Sequence, residues 1–356
     1  MKTVTLAIPE LLSGLDPRDR VALDSASFPM FETLMSKATK FKTEISGFEP
    51  LLRMAFSLPP HLPLPAARIT GKRDGLPVDQ EYWMRADPVH IQTDQTSAYL
   101  MGNDTLDIDD EEQTALVSDL NEWLVQDGLT LIPGQQKRWY LKSEKPFGIS
   151  THYYYDCLGK SIGHCLPRGE QKNRWRSLLT ELQMVLFRHP VNEARKAKGI
   201  PEINSLWFWG EGNVPHAVHS DYSYIVSDDP VLQGLAEIGK IPWQKLEDGW
   251  QVPMEDNAYV LLTPKLFCSK LDFIRTLEQE WFSPLFARLE QSEISRIVIY
   301  PDNCLRYEIV TSDRYKPWRR KKRITALIDD DETQKPEFPA FLNRVFRNKS
   351  KTHEEN

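Results

Sequence analysis

The sequence predicts an α/β fold: a central, mostly parallel sheet flanked by helices, with a small strand-rich insert. Two observations lead there. Short β-branched runs alternate with amphipathic stretches of helical period along most of the chain. Between Leu129 and Leu166 that texture gives way to short strand-like segments separated by Gly and Pro turns, which suggests antiparallel pairing. At 356 residues the chain has room for two domains or one large α/β domain with an insertion.

The elements follow in order. Thr3 to Ile8 reads as the first strand. Ser27 and Pro29 look like an N-cap and a first-turn proline, opening a helix with Met30, Phe31, Leu34, Met35 and Ala38 on one face. A second helix spans about Glu111 to Gln126, with Leu116, Val117, Leu120, Trp123 and Leu124 forming its apolar stripe. Asp107, Asp109, Asp110, Glu111 and Glu112 sit at its start, where the helix dipole favours negative charge, and Gly128 closes it. The same acidic run has the look of a metal site, but the helix start accounts for it.

In the insert, Leu129 to Ile132, Lys137 to Leu141 and the Tyr153 to Tyr155 tract read as strands. A helix follows with Trp175, Leu178, Leu179, Leu182, Leu186 and His189 on one face. Pro190 disfavours its continuation, and the segment up to Gly199 resumes as helix. Buried strands return at Ile203 to Trp209, Ser223 to Val226 and Ala258 to Leu262, with a helix near Pro230. A long helix from about Ser269 to Gln291 is bent by Pro284. Arg296 to Tyr300 and Leu305 to Val310 form a hairpin. The expected organisation is a discontinuous α/β core (1–128 and 200–328), an insert with its helix (129–199) and a weakly ordered tail (329–356).

Composition narrows the function classes. Apolar residues make up 40% and charged residues 27%, which excludes a disordered chain. A net charge of -7 argues against a general nucleic-acid binder. Mean hydropathy is -0.48 and no run is long enough to span a membrane, so a cytoplasmic protein is expected. The N-terminal apolar run ends too early for a signal peptide. Cys157, Cys165, Cys268 and Cys304 form no Cys-x-x-Cys pair and are expected to be reduced and mostly buried.

Several segments carry candidate chemistry. Asn204 to Asn213 ends a buried strand in a Gly-x-Gly turn with Trp209 and Glu211. Such strand ends are where open α/β sheets bind ligands, although a tight turn over core tryptophans explains the glycines equally. Asp87 and His90, three apart in an expected proline-containing loop after Arg85, can face one pocket or divide between a turn and a strand. His216, His219 and Asp221 offer three potential metal ligands if their loop bends suitably. His152, Cys157, His164 and Cys165 fit no standard zinc spacing and read as structural. Seven basic residues between Arg314 and Arg323, with Trp318 among them, suit an anion, a partner or a solvated face. No Walker loop, nucleophile elbow or dinucleotide fingerprint is present.

These segments bear a family resemblance. Arg85 to His90, Arg138 to Leu141, Glu181 to Arg195, Ile203 to Gly212, Ser227 to Pro230 and Trp318 to Arg320 together resemble the bacterial RpfE-type regulatory proteins. That family is described as cofactor-independent phosphoglycerate mutase-like, and the Trp-x-Trp-Gly-x-Gly stretch is similar to a segment of those mutases. The resemblance implies an alkaline-phosphatase-type core. In metal-dependent members of that superfamily the first core strand ends in a metal-binding Asp, commonly followed by Gly, and Asp-His pairs complete the site. Here the strand runs into Ile8-Pro9-Glu10-Leu11, and no Asp-His dipeptide occurs anywhere.

The expectation is therefore a regulatory or ligand-binding protein on a degenerate mutase-like scaffold, a pseudoenzyme without the two-metal site. Arg85, Asp87, His90, Arg138, Arg195, Trp209 and Glu211 are its candidate ligand contacts, since guanidinium groups grip anions in a bidentate way. An anionic metabolite or a protein partner is the expected ligand, with no cofactor, no membrane and no nucleic acid. The alternative is a phosphomutase or phosphatase using Mn, Zn or Mg through substituted ligands such as Glu10, His216, His219 and Asp221.

Overall fold

The computed structural model describes residues 2–12, 17–103, 106–215, 217–246, 257–263, 269–315 and 318–329. His216, Cys268, Lys316 and the expected tail from 330 onward lie outside them. The strands, in chain order, are β1 (Thr3–Ala7), β2 (Thr39–Lys42), β3 (Tyr82–Thr93), β4 (Ala98–Gly102), β5 (Leu129–Pro133) and β6 (Trp139–Ser143). They continue with β7 (Ser205–Trp209), β8 (Tyr224–Val226), β9 (Trp243–Gln244), β10 (Asn257–Leu261), β11 (Arg296–Tyr300) and β12 (Leu305–Val310). The chain divides into two units, one up to Leu58 and again from Ala217, the other from Pro59 to His216.

The first unit is the α/β core. Its sheet runs β2-β12-β11-β1-β10-β8-β9, parallel from β11 to β9 and antiparallel at β12 and β2. β1 lies at its centre, with Leu6 facing Val260 on one side and Ile299 on the other. Both faces of such a sheet are covered, so the run Val4 to Ile8 is buried without a break. Val4, Leu6 and Ile8 share a core with Val260, Ile297 and Ile299. Helical Phe31, Leu34, Ile274 and Phe282 pack into the same core.

Helix Pro29–Lys37 has its first-turn proline, but Ser27 does not cap it; the N-cap is Phe28 and gives no side-chain bond. The cap comes from far along the chain. The Glu278 carboxylate accepts the N–H groups of Met30 and Phe31, each at 2.8 Å. Glu278 stands in the expected long helix, which is α-helical over Lys270–Thr276, π-helical over Leu277–Phe282 and α-helical again over Ser283–Glu290. The wide turn falls just ahead of Pro284, whose missing N–H breaks the regular ladder.

The second unit is antiparallel, ordered β4-β3-β6-β5 with β7 also on β3. It is larger than the 129–199 insert because twelve-residue β3 serves three partners. Its first part pairs with β6, its middle with β7 and its end with β4. Residues 82–102 and 205–209 therefore belong with the insert. Helix Asp110–Leu124 begins as expected, with Asp109 and Glu112 closing a capping box. Leu116, Leu120 and Leu124 are buried, but Trp123 is 51% exposed, off the stripe. Helix Lys172–Phe187 buries Trp175, Leu178, Leu179, Leu182 and Leu186 as expected, and His189 caps a fresh helix, Pro190–Ala197. Tyr153 to Tyr155 do not form a strand; Tyr154–Cys157 is a helical turn.

Glu278→Ala removes both bonds at the start of helix Pro29–Lys37. It is expected to lower unfolding free energy by about 1–2 kcal/mol in urea titrations, as loss of an N-cap does.

Candidate functional site

β3 has period two, so Arg85 and Asp87 point to the same face. Arg85 is paired across the strands with Tyr140 of β6 and Trp209 of β7. Its guanidinium accordingly lies between the two rings, 5.2 Å from the Tyr140 centroid and 5.0 Å from that of Trp209. Asp87 is 1% exposed and meets four donors. Its Oδ1 accepts from Arg85 Nη2 (2.5 Å), Arg85 Nε (3.2 Å) and the Trp139 amide (3.1 Å), and its Oδ2 from Trp209 Nε1 (2.7 Å). A buried charge pair persists only when its remaining lone pairs are satisfied in this way.

The network extends outward. Arg85 Nη1 is 3.4 Å from Thr70 Oγ1, and the Tyr140 hydroxyl lies 3.0 Å from the same oxygen. Tyr140 donates to Asp74 Oδ2 at 2.7 Å, and Arg138 also donates to Asp74 through Nε at 3.0 Å. Burial raises the Tyr140 pKa, which keeps the hydroxyl protonated as a donor. Thr70 and Asp74 are four apart, at the end of helix Ala66–Arg73, so both reach the same cross-strand row. Neither was legible as a site residue from sequence; their i, i+4 spacing was the available signal.

The other candidates are distributed elsewhere. His90 is three residues from Asp87 in the same strand, not in a loop, and therefore points away from it. Its Nδ1 lies 2.9 Å from the Glu202 carbonyl oxygen. Arg195 is buried and binds Glu112 Oε2 at 2.5 Å, with further bonds to the carbonyls of Asp107 and Pro201. Arg85, Arg138 and Arg195 are thus each held by a carboxylate of the protein. Glu211 accepts from the Thr151 amide at 3.0 Å and from its hydroxyl, while the Gly210 amide donates to Thr151 Oγ1 at 3.2 Å. Gly210 has φ +73°, and a Cβ there would come within 2.7 Å of Ala66 Cβ. The Gly-x-Gly turn is thus a close approach onto helix Ala66–Arg73, and β7 belongs to the antiparallel sheet rather than to the parallel one.

In the first unit, His219 and Asp221 are exposed and 3.7 Å apart. Among the described residues no three His, Cys, Asp or Glu side chains gather where they could hold a metal ion. At the carboxyl end of β1, Glu10 takes φ +60° and its carbonyl oxygen accepts a bond from Lys270 Nζ. Desolvation lowers the Lys270 pKa to about 8, opposed by the negative charges of Glu10, Asp19 and Asp302. Sequence gave no hint of this lysine, because only the parallel pairing of β1 with β10 brings it to the strand end.

The basic cluster serves helix ends. Arg319 Nη1 donates to the carbonyls of Lys37 and Ala38, both at 2.6 Å, and Arg323 donates to that of Asp24. Lys321 pairs with buried Glu32 at 3.1 Å. Cations there complement the negative dipole ends of helices Pro17–Ser25 and Pro29–Lys37. Trp318 remains 72% exposed. Among the described residues no helix is long and apolar enough to cross a membrane.

No protein-family model matches the chain. It is 31% identical over 158 residues to the 2,3-bisphosphoglycerate-independent phosphoglycerate mutase of Methanosarcina barkeri, covering 42% of this chain and 39% of that enzyme. It is 30% identical over 110 residues to the same enzyme of Methanosarcina mazei, covering 30% and 28% respectively. The matched stretches thus span well under half the length of these curated relatives. Among solved structures, the cofactor-independent phosphoglycerate mutase of Thermoplasma acidophilum covers 98% of this chain and all of its own, with a TM-score of 0.44 and 14% identity. A Pyrococcus horikoshii protein covers 94% of this chain and 99% of its own, with a TM-score of 0.49 and 12% identity. The chain is similar in sequence to this mutase scaffold over part of its length.

Asp87→Ala leaves the Arg85 charge buried and unpaired. It is expected to cost about 3–5 kcal/mol of stability, whereas the paired replacement Arg85→Met with Asp87→Leu restores most of that loss in the same denaturation assay.

Proposed function

We propose that this chain is a regulatory, ligand-binding protein of the bacterial cytoplasm. On this reading its phosphoglycerate mutase-like scaffold binds an anionic metabolite without a two-metal centre. The observation that supports this is the ammonium of Lys270 on the Glu10 carbonyl, at the carboxyl end of the central parallel strand. Open α/β sheets bind ligands at that edge. The Lys270 ammonium answers there the negative charges of Glu10, Asp19 and Asp302 that a divalent cation would otherwise meet. It suits a phosphate or carboxylate group. Arg85, Arg138 and Arg195 are each paired with a carboxylate of their own unit, and the reading takes the strand-end Lys270 as a contact of the ligand's charge.

The similarity to the Methanosarcina mutases favours a second reading, a metal-dependent phosphomutase or phosphatase with substituted ligands. The two readings differ in what metal does.

Titration calorimetry of the full chain with 3-phosphoglycerate and with inorganic phosphate, in chelator, tests the proposal. Binding is expected without metal, weakened at least about tenfold, or 1.4 kcal/mol, in Lys270→Gln. Lysine is charged below its pKa, so affinity is expected to fall as pH rises from 7.5 to 9.5 through about 8. The phosphate monoester of 3-phosphoglycerate keeps its charge over that interval, and inorganic phosphate only gains negative charge, which by itself would raise affinity. Absence of binding in chelator, together with mutase or phosphatase turnover on adding manganese, would establish the second reading instead.

A further inference from the structure

A cavity of about 270 Å³ opens where the chain passes from helix Pro17–Ser25 into helix Pro29–Lys37. Ala26, Ser27 and Phe28 form one wall. Arg275 of helix Lys270–Thr276, with Glu278 and Gln279 of the π-helical stretch Leu277–Phe282, forms the other. A π turn is a rare irregularity that is frequent at functional sites. Ligand pockets run from roughly 300 to 1,000 Å³, so this cavity suits a small metabolite rather than a nucleotide.

Arg275 and Glu278 are three residues apart, which sets their side chains on one side of the helix. Glu278 is buried. Each of its oxygens accepts one backbone N–H, from Met30 and from Phe31, and keeps a second lone pair. Arg275 is exposed, in a solvent-screened pair with Asp272 at 3.3 Å that exchanges readily. Ser27 and Gln279 are exposed beside them and add a hydroxyl and an amide. Ala26 and Phe28 add apolar wall.

The two charges decide the ligand class. A free anion such as phosphate would face the Glu278 carboxylate, and a metal ion or simple amine would face the Arg275 guanidinium. A molecule with both signs, separated by one carbon, finds a partner for each.

We infer that this cavity binds a small aliphatic α-amino acid, its carboxylate on Arg275 and its ammonium on the remaining lone pairs of Glu278. Charge-assisted bonds of opposite sign fix its orientation, because the reversed pose sets like charges together. The aliphatic side chain lies along Ala26 and Phe28. Since Glu278 also caps helix Pro29–Lys37, the ligand and that helix start share one carboxylate. Lys270 is not part of the cavity's lining, so the inference stands apart from the anion reading.

Saturation-transfer NMR titrations of the full chain with L-valine and L-alanine test it. Isovalerate and isobutylamine serve as the valine analogues that lack the ammonium and the carboxylate. Both amino acids are expected to bind the unaltered chain and Lys270→Gln alike. Each single-charge analogue is expected to bind at least about tenfold more weakly than L-valine, as loss of a hydrogen bond to a charged group implies. Arg275→Gln, at an exposed position that leaves the fold intact, is expected to weaken L-valine by a similar factor. Three results would each overturn the inference: no binding of either amino acid, isovalerate or isobutylamine binding as tightly as L-valine, or unchanged L-valine affinity in Arg275→Gln.

Discussion

The first unit depends on one long-range pairing. β1 is flanked on both sides by parallel strands that arrive from residues 257–261 and 296–300, so five N-terminal residues are fixed by the far end of the chain. Parallel strands cannot be joined by a tight turn, and each crossover must pass over a face of the sheet. The helices carrying Phe31, Ile274 and Phe282 do so, and their apolar faces close the core over Val4, Leu6 and Ile8. The same pairing aligns the carboxyl ends of β1, β10 and β11 at one edge. Glu10 and Lys270 meet there, and Asp302 accepts from Ser46 Oγ at 3.1 Å beside the start of helix Phe48–Ala55.

The second unit rests on a different kind of constraint. β3 alternates, placing Met84 and Ala86 in the apolar core and Arg85 and Asp87 on the opposite face. Charges so deeply buried are stable only as a complete network, and Trp139, Trp209, Thr70 and Tyr140 complete it. The arginines whose guanidinium chemistry suggested anion contacts each bond a carboxylate of their own unit. The tryptophans, glycines and acidic residues of the Gly-x-Gly segment likewise describe a close-packed turn, with Glu211 locking Thr151 against the end of β7.

Much of the fold was legible because periodicity is a local signal. The capping box at Asp109, the buried stripe from Trp175 to Leu186 and the hairpin after Arg296 all follow from residues close in sequence. What was not legible depended on partners far away. Ser27 looked like a cap, but the donors at the start of its helix are met by Glu278. The insert boundary was misplaced because β3 looks like one strand while serving three partners. Tyr153 to Tyr155 have high strand propensity, yet packing against Trp209 favours a helical turn. The Arg314 to Arg323 cluster read as a charged surface, because helix carbonyl ends are invisible in its own sequence. Lys270 was missed for the same reason.

The anion-binding reading turns on Lys270 being a desolvated ammonium at the end of β1. The most direct measurement is a pH titration of the lysine Cε resonances in carbon-13 lysine-labelled protein, with Lys270→Arg providing the assignment. The account predicts a Lys270 midpoint near 8 that moves upward when phosphate is added, because a bound anion favours the charged form. A midpoint at the ordinary lysine value, unmoved by phosphate, would contradict it.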